Sequence, residues 1–360
     1  MNKHRWISAT AIATLLAVVA LFGYYHWNGN DGAKRAEVLA MMPADATAVM
    51  YFDLAELRSS PFLAQLYQWA PRPQADPDYA QFVQDSGFDF ERDLDRVAIA
   101  VEKRNAESAL FAVADGRFDR NKIAAYAAKS GTVAKRDGHE IFSVPINGTS
   151  RQISFTLLRP GRIAMTDDPD VAASLRAKKT DVDVAEWRSR FERLAGSPIF
   201  AVIRQDAGAG SALSAQAPGG LRSPQLAALL DQLQWITLAG KPENDSLRVV
   251  AEGECTAEAT VRQLTDVLNG IVILAQAGLN DAKTRRQLDP ATRDAYLELL
   301  KSADVSKIDR GETKSVRVVF DVTPKFLQAA RTAMPTPPSA SAPEQAPQKR
   351  TSGKPKAVTR

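Results

Sequence analysis

ATAVMYFDLAELRSSPFLAQLYQW, residues 46–69, is the stretch whose reading decides the fold, and a second stretch answers it at residues 197–235. In the first, residues 46–53 are rich in β-branched and aromatic side chains. They are apolar on both faces, the pattern of a largely buried strand. Ser60 then stands as an N-cap and Pro61 at the first helical position, with Leu63, Leu66, Tyr67 and Ala70 at helical spacing. In the second, SPIFAVIRQD (197–206) is again a buried strand ending in Asp. SPQLAALLDQLQW (223–235) opens on Ser-Pro as SPFLAQLYQW (60–69) does, and each helix runs on to a tryptophan, Trp69 or Trp235.

The segments after each pair follow the same order. Strands are predicted at 94–102 and 109–114 around the polar turn KRNAES, and again at 235–239 and 246–254. Asp119 caps a helix in the first part; in the second, Thr256 caps a long one reaching about residue 277. Further strands are expected at 140–145, 152–158 and 162–166. Helices are expected from Asp168-Pro169 to about 178, at 184–194 and at 290–301. Closing strands at 305–309 and 314–322 precede a short helix capped by Thr323. Short turns between paired strands indicate antiparallel sheet, and helices recurring after strand pairs would cover one face, giving a two-layer architecture. The fold class predicted is α+β: an N-terminal transmembrane helix, then a two-part, duplicated ectodomain of antiparallel sheet plus helices.

Residues 7–25 carry no charge and are mostly aliphatic. Nineteen residues at about 1.5 Å each span roughly 29 Å, close to the hydrocarbon thickness of a bilayer. Lys3 and Arg5 precede the run, and Tyr24, Tyr25 and Trp27 close it as an interfacial aromatic group. An uncleaved anchor with the N-terminus inside is the expectation. A cleaved signal, with Val18 and Ala20 at the small-residue positions and a mature start at Leu21, is the alternative. The division that follows is a cytoplasmic N-terminus at 1–6, the anchor at 7–25 and a linker at 26–37. Two α+β units come next, at 38–180 and 181–332, and then a disordered basic Pro/Ala/Ser-rich tail at 333–360. The location implied is a single-pass protein of the inner membrane, with its ectodomain in the periplasm or outside.

Charge sharpens this division. Of the net +4, the first thirty residues hold +2 and the last thirty hold +5, leaving −3 on the body. The pI of about 9.1 therefore belongs to the two ends. A mildly acidic body argues against a nucleic-acid-binding surface, which needs clustered basic residues. The basic tail can reach anionic envelope polymers or lipid head groups. One cysteine, Cys255, permits no internal disulfide and reads as a small buried apolar residue.

Candidate chemistry is sparse. His139, in the turn DGHE, is the one histidine beyond the N-terminal thirty residues, and it reads as a solvated turn residue. His139 and Cys255 together cannot build a multi-ligand zinc site. The run TDDPD places Asp167, Asp168 and Asp170 at a helix start, where carboxylates accept free backbone N–H groups. A calcium loop would need a spacing that is absent. The Gly/Ala/Ser loop at 207–220 lacks the lysine of a phosphate cradle and is expected as a surface loop over a groove. Asn147 and Asn244 match the glycosylation acceptor pattern by chance. The helix from Thr256 is apolar nearly all round in VLNGIVILAQAGL (267–279), which reads as a buried core helix, with a cavity lining or an oligomer contact as the alternative. No residue is assigned a catalytic, cofactor-binding or metal-binding role, and no cofactor is expected.

MMPADATAVMYFDLAELRSSPFLAQL, with Pro43, Ala44 and Asp45 opening the strand, resembles the start of uncharacterised bacterial envelope proteins that carry an N-terminal membrane anchor. The resemblance implies location and general build, and no site residues. The function expected is a non-enzymatic, membrane-tethered bacterial envelope protein that binds a partner protein or an apolar ligand through its ectodomain. The alternative is a hydrolase of envelope polymers using Asp167, Asp168 or Asp170.

Overall fold

The computed structural model describes residues 31–69, 77–104, 107–146, 151–176, 181–205 and 224–333. The anchor at 7–25, the tail from 334, the loop at 206–223 and the Asn147 motif lie outside them. Among the described residues no helix is long and apolar enough to cross a membrane.

The chain opens with helix α1 (Asp31–Ala40), then β1 (Ala48–Asp53), α2 (Leu54–Arg58), α3 (Pro61–Trp69), α4 (Pro77–Ser86) and α5 (Phe90–Asp93). The hairpin β2 (Leu94–Arg104) and β3 (Glu107–Gly116) follows, then α6 (Arg120–Ser130). A meander of β4 (Thr132–Arg136), β5 (His139–Pro145), β6 (Gln152–Arg159) and β7 (Arg162–Thr166) leads to α7 (Val171–Arg176) and α8 (Asp181–Arg193). Next come β8 (Ile199–Arg204), α9 (Pro224–Leu230), β9 (Trp235–Glu243) and β10 (Ser246–Cys255). Three helices, α10 (Glu258–Asn280), α11 (Ala282–Gln287) and α12 (Pro290–Ser302), precede β11 (Asp304–Arg310), β12 (Thr313–Val322) and α13 (Pro324–Ala333).

Several starts are made by the caps that the sequence offers. Ser60 Oγ accepts from Leu63 N at 3.3 Å, Asp119 from Asn121 N at 2.9 Å, and Thr323 Oγ1 from Phe326 N at 3.3 Å. The long helix α10 differs: its N-cap is Ala257, with no side-chain cap bond, and not Thr256.

The two-part ectodomain is overturned by the sheet. The twelve strands among the described residues form one antiparallel sheet in the order β11-β12-β10-β9-β8-β1-β2-β3-β7-β6-β5-β4. The strands opening the two stretches, β1 and β8, pair with each other at its centre, with Tyr51 opposite Phe200 and Val49 opposite Val202. The physical reason lies in their composition. A strand apolar on both faces does not serve as the open edge of its own sheet; each of the two supplies the neighbour that the other lacks. The flanks also differ: seven strands run outward from β1, counting it, and five from β8.

Helices cover both faces of the sheet and not the one face expected of a two-layer architecture, because alternation along the strands puts apolar side chains on each face. One face carries Tyr51, Ala98, Ala100, Phe111, Phe200, Val202 and Trp235, packed under Val38 and Leu39 of α1, Val171 of α7 and Trp187 of α8. The opposite face carries Met50, Phe52, Val97 and Ile99 under α2, α3 and α6, and continues beneath α9 and α10 through Leu229, Leu233, Val261, Leu264 and Val316. Cys255 is buried there, and burial raises its thiol pKa, so it is a core residue as expected.

Candidate functional site

On the first of these faces α1 packs on β2 and β3, and α8 packs on β8. Strand β1 lies between the strands they cover. The two helices leave a cleft of about 420 Å³ between them. Its apolar lining comes from Ala36, Leu39, Ala40 and Met42 on one side and Val184, Trp187 and Phe191 on the other, with Arg35, Arg188 and Glu192 adding charge. Leu39, Met42 and Trp187 are buried, whereas Ala36 and Ala40, one turn apart on α1, are exposed.

The polar groups that hold this cleft open bond inward. The Arg35 guanidinium donates to the carbonyls of Leu194 at 2.8 Å and Ala195 at 2.7 Å, where α8 ends and cations are favoured. The same group lies over the Tyr51 and Phe200 rings, 5.0 and 4.7 Å from their centroids. Those rings stack across the β1–β8 pair at 5.1 Å. Burial, with the Asp53 carboxylate beside it, holds the Tyr51 phenol protonated well above the usual range, and it donates to Asp53 at 3.2 Å. Trp187 Nε1 donates to the carbonyl of Ala44 at 3.3 Å, tying α8 to the turn after α1.

Beneath the cleft, Trp187 meets Trp235 edge-on at 5.0 Å, and the Arg190 guanidinium lies 3.9 Å above the Trp235 ring. Arg190 donates at 2.6 Å to Glu254, which is almost fully buried and also bonded by Arg193. The lining therefore offers apolar surface, and its structural donors are already engaged. Such a site selects a ligand by shape and hydrophobicity.

The residues singled out in the sequence lie elsewhere and serve the fold. Asp167 accepts from Leu110 N at 2.7 Å and from Arg151 at 2.6 Å. Asp168 accepts from Asp170 N at 2.9 Å, and Asp170 from Ala172 N at 3.1 Å. These are the bonds of a loop pin and a helix start, two residues later than expected. His139 opens β5 opposite Arg136, after a tight turn in which Asp137 and Gly138 both have positive φ, 50° and 79°. Among the described residues no cluster of three or more His, Cys, Asp or Glu is placed to hold a metal ion.

The cleft is not legible in the sequence because its walls carry no site signal: residues 26–37 read as a linker, and 184–194 reads as a helix rich in charge. The available signal was the apolar spacing Val184, Trp187 and Phe191 within that charge.

The chain matches no protein-family model, and no curated protein matches its sequence. Among solved structures it is similar to crystal form IV of TP0453, with 11% identity and a TM-score of 0.42 over 84% of this chain and 100% of that one. Crystal form I of the same protein gives 10% identity and 0.41 over 82% and 96%; form III gives 9% and 0.41 over 82% and 98%. A TM-score of that size carries neither a function nor a site across.

Proposed function

We propose that this is a non-enzymatic bacterial envelope protein, tethered to the inner membrane through residues 7–25, that binds an apolar ligand in the cleft between α1 and α8. The N-terminus lies inside and the sheet body in the periplasm, while the basic tail contacts anionic envelope polymers or lipids. The apolar lining carries the reading. A cleft of about 420 Å³ falls within the range of roughly 300–1,000 Å³ usual for small-molecule sites. Leu39, Met42, Val184, Trp187 and Phe191 supply the greasy wall, and Arg35 and Trp187 have their donors bonded to protein carbonyls.

Native mass spectrometry of the full chain, extracted gently from membranes, tests this. One co-purifying apolar molecule per chain is expected for the wild type. It is expected to be lost when Ala36→Trp and Ala40→Trp fill the cleft from exposed positions, where a larger side chain spares the core. The same added mass on both proteins would place the ligand elsewhere. A bound protein in its place would make the cleft a protein-docking groove.

A further inference from the structure

The helix expected to be wholly buried is not. In its first half α10 buries Thr260, Val261, Leu264 and Thr265 and presents Arg262, Gln263 and Asp266 to solvent, an ordinary amphipathic arrangement. Past Gly270 the outward stripe changes character. Ile273 is 65% exposed and Leu274 is 72% exposed, the two most exposed large apolar side chains among the described residues. Ala277 and Gly278 extend the stripe by a turn, and a Cβ added at Gly270 or Gly278 would meet nothing within 4 Å. Directly afterwards comes α11, which buries no residue and exposes Lys283, Arg285 and Arg286. Across 270–288 the one acid is Asp281, whose carboxylate is occupied as the α11 cap, accepting from Lys283 N at 2.9 Å.

We infer that the second half of α10 together with α11 is a docking surface for an anionic lipid bilayer. The apolar stripe enters the boundary between head groups and acyl chains, and the three cations lie among the head groups. This is the division of labour of a helix lying in the membrane interface. The element lies on the membrane and does not span it, since no described helix is apolar enough to cross. A second copy of the chain fits less well. A stable interface buries about 800 Å² per partner, more than two large side chains and a few small ones supply. A two-fold contact through this stripe would also bring the basic helix close to its own like charge. A surface of anionic head groups complements it. This surface is separate from the α1–α8 cleft, on the opposite face of the sheet, so either reading can fail without the other.

Residues 1–30 would carry the whole chain to vesicles, so the test must read the helix itself. Cys255 is the single native cysteine and is 2% exposed. Leu274→Cys therefore takes an environment-sensitive fluorophore selectively, and Arg262→Cys on the polar half of the same helix is the control. Both full-length proteins are reconstituted in phosphatidylcholine vesicles with and without phosphatidylglycerol, and quenching by nitroxides on the acyl chains is measured. Quenching several-fold stronger at 274 than at 262 is expected in the anionic vesicles. It should fall away as salt shortens the screening length from about 10 Å at 0.1 M to about 3 Å at 1 M, and in the variant Lys283→Glu/Arg285→Glu/Arg286→Glu. Equal quenching at the two sites, or no dependence on phosphatidylglycerol, would overturn the inference. Efficient disulfide cross-linking of unlabelled Leu274→Cys between two chains in the vesicles would also overturn it, because a second copy would then cover the stripe.

Discussion

Glu252 shows at residue scale how this chain handles buried charge. Its side chain is nearly buried on β10 and is bonded by Arg310, at 3.0 Å through Oε2, with Arg317 at 3.5 Å. Burial, the largest single influence, would raise its pKa, but the hydrogen bond and charge of Arg310, with the Ser315 hydroxyl and the Arg193 charge, together outweigh it and hold Glu252 below the ordinary carboxylate range. A folded pKa below the unfolded one means stability that is fully present above the unfolded value of about 4.3 and lost as pH falls through the lower folded value. Arg310→Gln is expected to cost about 1.5–3 kcal/mol near neutral pH, the size of a charge-assisted hydrogen bond. It should also flatten the acid-side fall, because burial then acts on Glu252 with less opposition. Urea titrations at pH 7 and pH 3.5 check both; an acid-side slope unchanged from wild type would show that Glu252 titrates as an ordinary surface group. Asp115 and Arg162 form the corresponding pair in the first half, at 2.5 and 2.7 Å, and that contact raises the arginine pKa.

At the scale of elements, the sequence was most legible where a period and a cap coincide. Residues 46–53, 94–102, 162–166 and 314–322 lie within or almost within β1, β2, β7 and β12, because each alternates or saturates with apolar residues. The helix after Asp119 begins at Arg120 as its cap requires. The elements missed had no such signal. All five residues of β4 (TVAKR) are exposed at a sheet edge, so no buried face imposes an alternation. In α1 the core contacts are the adjacent Val38 and Leu39, too short a stripe to stand out in a segment opened by Asp31-Gly32 and Lys34-Arg35. In α4, Tyr79 and Phe82 have helical spacing, but they follow a proline-rich run that reads as a connection. In α10 composition misled in the other direction: uniform apolarity implied burial, while the structure covers only part of its circumference.

At the scale of the whole molecule, the organising contact is the β1–β8 pair, where the two stretches that first suggested separate units become neighbours. Cutting the chain in the segment before β8 turns β1 and β8 into exposed, apolar edges, the most association-prone strands a sheet can present. Fragments 31–180 and 181–333 expressed separately are expected to aggregate or to unfold without a cooperative transition, and to recover one when produced together. Independent cooperative melting of each fragment would show that the continuous sheet is not an energetic unit. The same contact positions the cleft, since α1 and α8 cover strands on either side of β1 and Arg35 bridges them. The central claim is that this cleft takes an apolar ligand, and titration with the apolar fluorophore N-phenyl-1-naphthylamine tests it most directly. The account predicts saturable binding at one site per chain, weakened by about tenfold or more, equivalent to at least 1.4 kcal/mol, when Ala36→Trp and Ala40→Trp fill the cleft. Equal affinity in the wild type and the filled variant would contradict it.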